Sequence, residues 1–286
     1  MNQHLSGLPA RLSETGRPLV LAVLNVTPDS FSDGGRWFDT ASAIERGRQL
    51  AAAGGDIVDV GGESTRPGAE RVEAAEELRR VLPVVSALAA EGIAVSIDTM
   101  RAEVAQAAVS AGAVLINDVS GGLADPAMAG TVAGLGCPYV LMHWRAPAAR
   151  MAEHAGYHDP VGEVLAELSG RLDAMVGAGV APERIALDPG IGFAKDAEHN
   201  WAVLAGLDRL ATLGRPMLVG VSRKRFLGTL LSDADGPRPV DRRDGASAVL
   251  AGLLAAAGVW AVRAHDAAAT RDALLVGAAW AASGPA

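Results

Sequence analysis

The feature that most constrains this chain is a repeating unit: a short apolar run, an alanine-rich stretch with helical spacing, then a glycine. Runs at Leu19 to Leu24, Asp56 to Val60, Ile93 to Ile97, Val114 to Ile116, Tyr139 to Met142, Arg184 to Leu187, Met217 to Val221 and Val259 to Val262 make eight candidate strands. Several are apolar almost throughout, as strands covered on both faces of a parallel sheet must be. Helical spacing fills stretches between them, including Ala41 to Ala53, Glu73 to Ala90, Ala102 to Ala111, Val161 to Gly177 and Gly245 to Ala257, with a last helix near Thr270 to Trp280. Gly54 and Gly55, Gly92, Gly112, Gly136, Gly179, Gly214 and Gly258 each stand just before a later strand, where a helix C-terminus favours the left-handed backbone. Strand and helix alternate to the end, which predicts a single (β/α)8 barrel over residues 19–286, preceded by an N-terminal extension, 1–18. The competing arrangement, an open doubly wound sheet, would call for a glycine-rich dinucleotide fingerprint after the first strand, and none is there.

Half of the 286 residues are apolar, enough to bury a large core. The net charge is −8 and no run of Lys or Arg forms a stripe, which argues against a nucleic-acid partner. The first eighteen residues lack a basic start followed by an apolar stretch, and no segment has the length of uninterrupted apolar sequence that a membrane span needs, so a cytoplasmic protein is expected. The single cysteine, Cys137, rules out an internal disulfide and a multi-cysteine metal site, and its apolar setting predicts a buried core thiol.

In a barrel of this kind, chemistry resides at the C-terminal ends of the strands. Here every strand ends on hydrogen-bonding or ionisable groups. The first runs into Asn25, Thr27, Asp29 and Asp33, the second into Glu63, Ser64, Thr65 and Arg66, the third into Asp98, and the fourth into Asn117 and Asp118. His143 and Asp188 end the fifth and sixth, Ser222, Arg223 and Lys224 the seventh, and Arg263, His265 and Asp266 the eighth. Singly, Asp98, Asp118, Asp188 and Asp266 read as helix N-caps and His143 as a satisfied core histidine. Together at one end of a barrel, the set predicts a polar ligand site. Lys224, Arg263, His265 and Arg66 suit a phosphate or pyrophosphate held without a P-loop. Asp98, Asn117 and Asp188 suit the amide and amino edge of a heterocycle. Asn25 with Asp29 or Asp33 offers oxygen ligands of the kind Mg²⁺ takes beside substrate phosphates. Zinc spacing and a nucleophile elbow are both missing, so displacement of pyrophosphate from a bound heterocycle is the reaction these parts would serve.

The blocks LNVTPDSFSDGG (Leu24 to Gly35), DVGGESTRPGA (Asp59 to Ala69), SIDT (Ser96 to Thr99) and INDVSGG (Ile116 to Gly122) resemble the signature of dihydropteroate synthases, as do LMH, LDPGIGFAK (Leu187 to Lys195), SRKRFLG (Ser222 to Gly228) and VRAHD (Val262 to Asp266). The resemblance runs from about Leu19 to the C-terminus, in blocks too long and too well ordered for chance. It implies a transferase of folate biosynthesis that condenses (7,8-dihydropterin-6-yl)methyl diphosphate with 4-aminobenzoate, giving 7,8-dihydropteroate and pyrophosphate.

Carried over residue by residue, the resemblance implies that Asp98, Asn117, Asp188 and Lys224 line the pterin pocket, with Met142 and Phe193 as apolar walls. Arg263 and His265 would hold the pyrophosphate, with Asn25 acting through Mg²⁺. Phe31 and Asp33 on one loop, and Thr65, Arg66 and Pro67 on another, would close over p-aminobenzoate, with Ser222 beside them. Asp98, Lys224, Asp33 and Arg66 would act in catalysis. Sulfonamides are the implied inhibitors and a homodimer, through helices late in the barrel, the implied assembly. Two departures stand out: Ala194 where the family often has Gly, and Asp196 where Thr is common; both bear on Lys195 as a ligand. Residues 145–159 carry no assigned role. A methyltetrahydrofolate-type methyltransferase barrel has no use for the TPDSFSDGG and ESTRPG loops. A silent pterin-binding paralogue would not need to keep all three sub-sites.

Overall fold

The structure is a computed structural model and describes residues 4–27, 40–64 and 71–284. Eight parallel strands are found among them: β1 (Leu19–Asn25), β2 (Ile57–Gly61), β3 (Val95–Asp98), β4 (Leu115–Asp118), β5 (Tyr139–Met142), β6 (Ile185–Asp188), β7 (Leu218–Gly220) and β8 (Ala261–Ala264). Their order, β6-β5-β4-β3-β2-β1-β8-β7, is that of a ring opened at one seam. A parallel bridge from Leu187 to Met217 closes that seam, with the Leu187 N–H donating to the Pro216 carbonyl at 2.8 Å. The expected barrel is therefore observed. The last strand is displaced two residues from the apolar run that announced it, which brings Arg263 inside the strand.

The helices that cover the barrel are α1 (Thr40–Ala52), α2 (Ala74–Ala90), α3 (Ala102–Ser110), α4 (Met128–Leu135), α5 (Pro160–Gly177), α6 (Ala197–Ala205), α7 (Leu207–Leu210), α8 (Arg225–Leu230), α9 (Asp244–Ala256) and α10 (Ala267–Ala282). All seven glycine joints hold the left-handed backbone, with φ between 58° and 111°; of the pair at the first joint, Gly54 takes this role. Each joint lets a helix stop and the chain turn straight back into the sheet.

Side-chain parity along the strands divides the interior into layers. Val20, Ala22, Leu24, Val58, Val60, Val95, Ile97, Tyr139 and Leu141 point outward and form the main core with the helices. Leu19, Leu21, Ile57, Ala94, Leu115, Val140, Ala186, Leu218 and Ala261 fill the lower barrel. One step further along the same inward rows come Asp59, Ser96, Asn117, Met142, Asp188 and Arg263, so the filling changes from hydrocarbon to polar groups within one layer.

The N-terminal segment seals the floor. Leu5 and Leu12 are buried in the lower-barrel cluster beside Trp260. The Ser6 N–H donates to the Glu183 carbonyl at 2.9 Å, and Arg11 donates to the Gly92 carbonyl at 2.9 Å. Cys137 is buried, as expected, and burial pushes its thiol up to about 12. No helix among the described residues is long and apolar enough to cross a membrane.

Truncating a buried leucine costs about 2 kcal/mol or more. Leu12→Ala should therefore lower Tm by about 4–8 °C for a chain of this size. The floor lies opposite the mouth, so turnover per folded molecule should stay unchanged. Thermal unfolding and a steady-state assay on the same preparation check both halves.

Candidate active site

The centre of the mouth is one guanidinium shared by two carboxylates. Arg263 on β8 donates through Nε to Asp59 Oδ2 at 2.6 Å and through Nη2 to Asp98 Oδ2 at 2.6 Å. The register explains how it reaches them. Leu21 lies beside Arg263, Val23 beside Asp59 and Gly61 beside Asp98, so the arginine spans the inward face of β1 to reach β2 and β3. Asp59 Oδ2 also accepts from Asn117 Nδ2 at 3.0 Å. Burial pushes the Asp98 carboxyl up to about 7, with Asp59, Glu77 and Asp118 adding to the rise and Arg263 opposing it. Burial lowers the Arg263 guanidinium, but the two carboxylates more than offset this, and it remains charged.

Asp188, ending β6, is buried nearby. Its Oδ1 accepts from the Gly190 N–H at 2.7 Å. Burial raises this carboxyl to about 6, against the pull of Gly190, Lys224, Arg263 and Lys195. Lys224, just before α8, is lowered to about 8 by burial and by Arg263, with Asp188 and Asp98 opposing. Its Nζ lies 4.3 Å from the centroid of the Phe193 ring, a cation–π distance. Asp98, Asn117, Asp188, Lys224 and Arg263 thus form one electrostatic group in the barrel mouth.

The loop after β6 is held by its backbone. Gly190 and Gly192 have φ of 66° and 80°; a Cβ on Gly190 would strike the His143 carbonyl, and one on Gly192 would come within 2.8 Å of Lys224 Cδ. Ala194, with φ of 46°, takes a conformation that glycine adopts more easily, which is the physical sense of the departure noted in the sequence. Lys195 Nζ donates to the carbonyls of Gly190 at 3.1 Å and Phe193 at 3.2 Å, and it meets His143 Nδ1 at 3.0 Å. This lysine ties down the loop. Burial lowers it to about 7. His143 Nε2 meets Glu167 at 2.9 Å, so both imidazole nitrogens are occupied, and burial holds the ring down to about 4.

Met142 and Phe193 share a buried apolar cluster with Val119, Ala194 and Met151. Met151 comes from the segment to which no role had been assigned, where the turn Ala148–His154 lies. Asp266 caps α10, accepting from the Ala269 N–H at 3.0 Å. Asp118 faces away from the barrel interior and gathers Ser120, Gly122 and the Tyr139 hydroxyl at 2.6–2.8 Å. Asp266 is the helix N-cap expected of it, whereas Asp118 caps no described helix and holds the loop that follows it.

Ser222 and His265 meet, Oγ to Nδ1, at 3.0 Å. Burial, together with Arg263, Arg223 and Lys224, holds the imidazole down to about 3, so the positive charge here is carried by its neighbours. A cleft of about 300 Å³ beside His265 is lined by Arg46, Arg223 and Asp266 and opens at the N-terminus of α10. Asn25, half-buried, ends β1 beside Gly61. Asp29, Phe31, Asp33, Thr65, Arg66 and Pro67 lie outside the described residues. The flanks of the second loop are fixed: Glu63 pairs with Arg71 at 3.2 Å and with Arg101 at 2.8 Å, and Arg101 also pairs with the buried Glu77.

Two participants were missed in the sequence, Asp59 and Met151. An inward-facing aspartate at Ile57-x-Asp59-x-Gly61 was detectable from strand parity, since a charge in a barrel interior requires a partner. Met151 carried no such signal.

Residues 21–265 match the model of the pterin binding enzyme family. The dihydropteroate synthase of Mycobacterium leprae is 55 % identical over 268 residues, spanning 93 % of this chain and 94 % of the relative. Among solved structures, the Yersinia pestis dihydropteroate synthase in a sulfonamide drug complex aligns with a TM-score of 0.88 at 37 % identity, covering 99 % of this chain and 100 % of that one. The Xanthomonas albilineans dihydropteroate synthase in complex with 7,8-dihydropteroate aligns at 0.82 with 42 % identity, covering 94 % and 95 %. With the polar barrel mouth and these likenesses taken together, the chain belongs to the dihydropteroate synthases of the pterin binding enzyme family.

Proposed function

We propose that the mouth works as three adjoining stations for the condensation of (7,8-dihydropterin-6-yl)methyl diphosphate with 4-aminobenzoate. The observation that carries this reading is the buried group of Asp59, Asp98, Asn117, Asp188, Lys224 and Arg263, at the one layer where the barrel filling turns polar. A pterin offers a matching rim of amino, ring N–H and carbonyl groups on a flat apolar body. Asp188 takes the amino and ring N–H edge, Lys224 the carbonyl side, and Met142 and Phe193 the faces.

The pyrophosphate lies toward Arg263 and His265, beside the cleft that Arg46 and Arg223 line. The carbon–oxygen bond to the leaving group breaks heterolytically, and its electron pair departs with pyrophosphate. The electron-rich ring stabilises the methylene cation and ionised Asp98 favours the positive charge. The arylamine nitrogen then forms the new carbon–nitrogen bond and releases a proton. Asn25 supplies a neutral oxygen, a donor suited to a hard cation that keeps its remaining positions for water and phosphate. Mg²⁺ held there would neutralise charge on the leaving group. Phe31, Asp33, Thr65, Arg66, Pro67 and Ser222 are assigned to the p-aminobenzoate station, where sulfonamides would compete.

We further read the enzyme as a homodimer through α9 and α10. Val249 and Leu253, and Val276 and Trp280, form i,i+4 pairs that are 64–78 % exposed. The two helices lie against each other at Gly252 and Gly277, where a Cβ on Gly277 would strike the Gly252 carbonyl. A cytoplasmic setting fits the lone buried thiol.

Purified protein with Mg²⁺ and both substrates should release pyrophosphate and dihydropteroate in equal amounts, and removal of the metal by a chelator should stop turnover until Mg²⁺ is restored. Pterin binding without either product would point to a silent paralogue. Asp188→Ala should weaken pterin binding by about 10- to 100-fold, the value of charge-assisted hydrogen bonds. Thr65→Ala should chiefly raise the apparent KM for p-aminobenzoate.

Asp188 is ionised above about 6, so calorimetric pterin affinity should fall as pH drops from 7 to 5. The same shift acts oppositely on the free fold. A carboxyl raised above its unfolded value stabilises fully at pH below that unfolded value, and the contribution is lost as pH rises through about 6. Leu253→Asp should yield monomers in sedimentation.

A further inference from the structure

Asp59 is fully buried on an inward position of β2, in the same layer as Asn117, Asp188 and Arg263. One of its oxygens, Oδ2, accepts both the Arg263 Nε bond at 2.6 Å and the Asn117 Nδ2 bond at 3.0 Å. That oxygen accepts from the guanidinium, and the atom of Asn117 that faces it is the nitrogen. That fixes the sense of the amide: Asn117 spends one N–H on Asp59 and keeps its carbonyl oxygen and one N–H for anything entering the mouth. The same oxygen holds the Nε side of Arg263 and so sets the angle at which Nη2 reaches Asp98. Its other oxygen, Oδ1, and the Oγ of Ser96, its register neighbour on β3, are buried with no hydrogen-bond partner among the described residues.

We propose that Asp59 is a positioning residue for the pterin station, acting through Asn117 and Arg263 to present a fixed donor–acceptor pair to an adjacent N–H and ring-nitrogen edge. The inference rests on the pterin reading of the mouth. A carboxamide at this position separates its two tasks, because an asparagine oxygen can accept both bonds while its NH₂ donates to the unpartnered Ser96 hydroxyl. Alanine leaves Asn117 Nδ2 and Arg263 Nε without their acceptor, while Arg263 Nη2 keeps Asp98.

The test compares Asp59→Asn with Asp59→Ala in the full-length protein. Both should hold KM for p-aminobenzoate within about two-fold. Asp59→Ala should raise KM for the pterin pyrophosphate at least ten-fold, and Asp59→Asn should recover most of that loss. A folded Asp59→Ala enzyme with an unchanged pterin KM overturns the proposal, as does an Asp59→Asn variant no better than alanine. Should alanine fail to fold, the wild-type protein decides: one Asn117 side-chain amide proton should exchange slowly with solvent before any substrate is added, and rapid exchange of both protons overturns the tether. If the wild type makes no dihydropteroate, the functional reading fails instead, whatever the exchange result.

Discussion

Everything at the mouth depends on the ion triad of Asp59, Arg263 and Asp98. Two carboxylates share one guanidinium in a buried setting, with Lys224 close enough to attract Asp98. A buried ion pair of this kind contributes little net stability, because desolvation consumes most of the Coulombic gain, whereas removing one partner is severe. The burial that surrounds the triad also raises Asp98 to about 7 and Asp188 to about 6, against the pull of Arg263, and together with Arg263 it lowers Lys224 to about 8, so three groups that would touch a ligand sit near the point of gaining or losing a proton. A heterocycle bringing N–H donors offers these buried carboxylates hydrogen bonds, which a hydrocarbon cannot do. The triad also spans β2, β3 and β8 across the inward face of β1, cross-bracing the barrel where its apolar filling ends.

Around this centre, backbone conformation does what side chains alone cannot. The loop after β6 alternates left-handed residues at Gly190, Gly192 and Ala194, and Lys195 pins the carbonyls of Gly190 and Phe193. The lysine sits at the end of the LDPGIGFAK block, yet its role is internal. The His143 ring, a candidate because it ends β5, is likewise consumed between Lys195 and Glu167. Both are reminders that a polar residue at a barrel mouth can serve the loop and not the ligand.

Much of this was legible in the chain. Eight apolar runs and their glycine joints specify the barrel because the constraint is local: each helix must end and turn before the next strand. Asp98, Asn117 and Asp188 were legible because they lie at strand ends, and Lys224 because it follows the seventh apolar run. Asp59 was overlooked since it lies within a strand, where parity and not position reveals it. Met151 could not be found, because its packing with Met142 and Phe193 joins a short turn to a strand end and a separate loop and leaves no periodicity. The plug formed by Leu5 and Leu12 was read only as an extension; two leucines in a polar stretch do not announce what they cover.

That plug has a consequence for traffic. Among the described residues, Leu5, Leu12 and Trp260 close the lower barrel, which leaves the mouth as the way to the polar layer. Two reactants and two products must use the same opening, and a molecule seated against the polar layer has no rear exit. Whatever binds deepest therefore loads first and leaves last, so the well itself imposes a queue on its visitors.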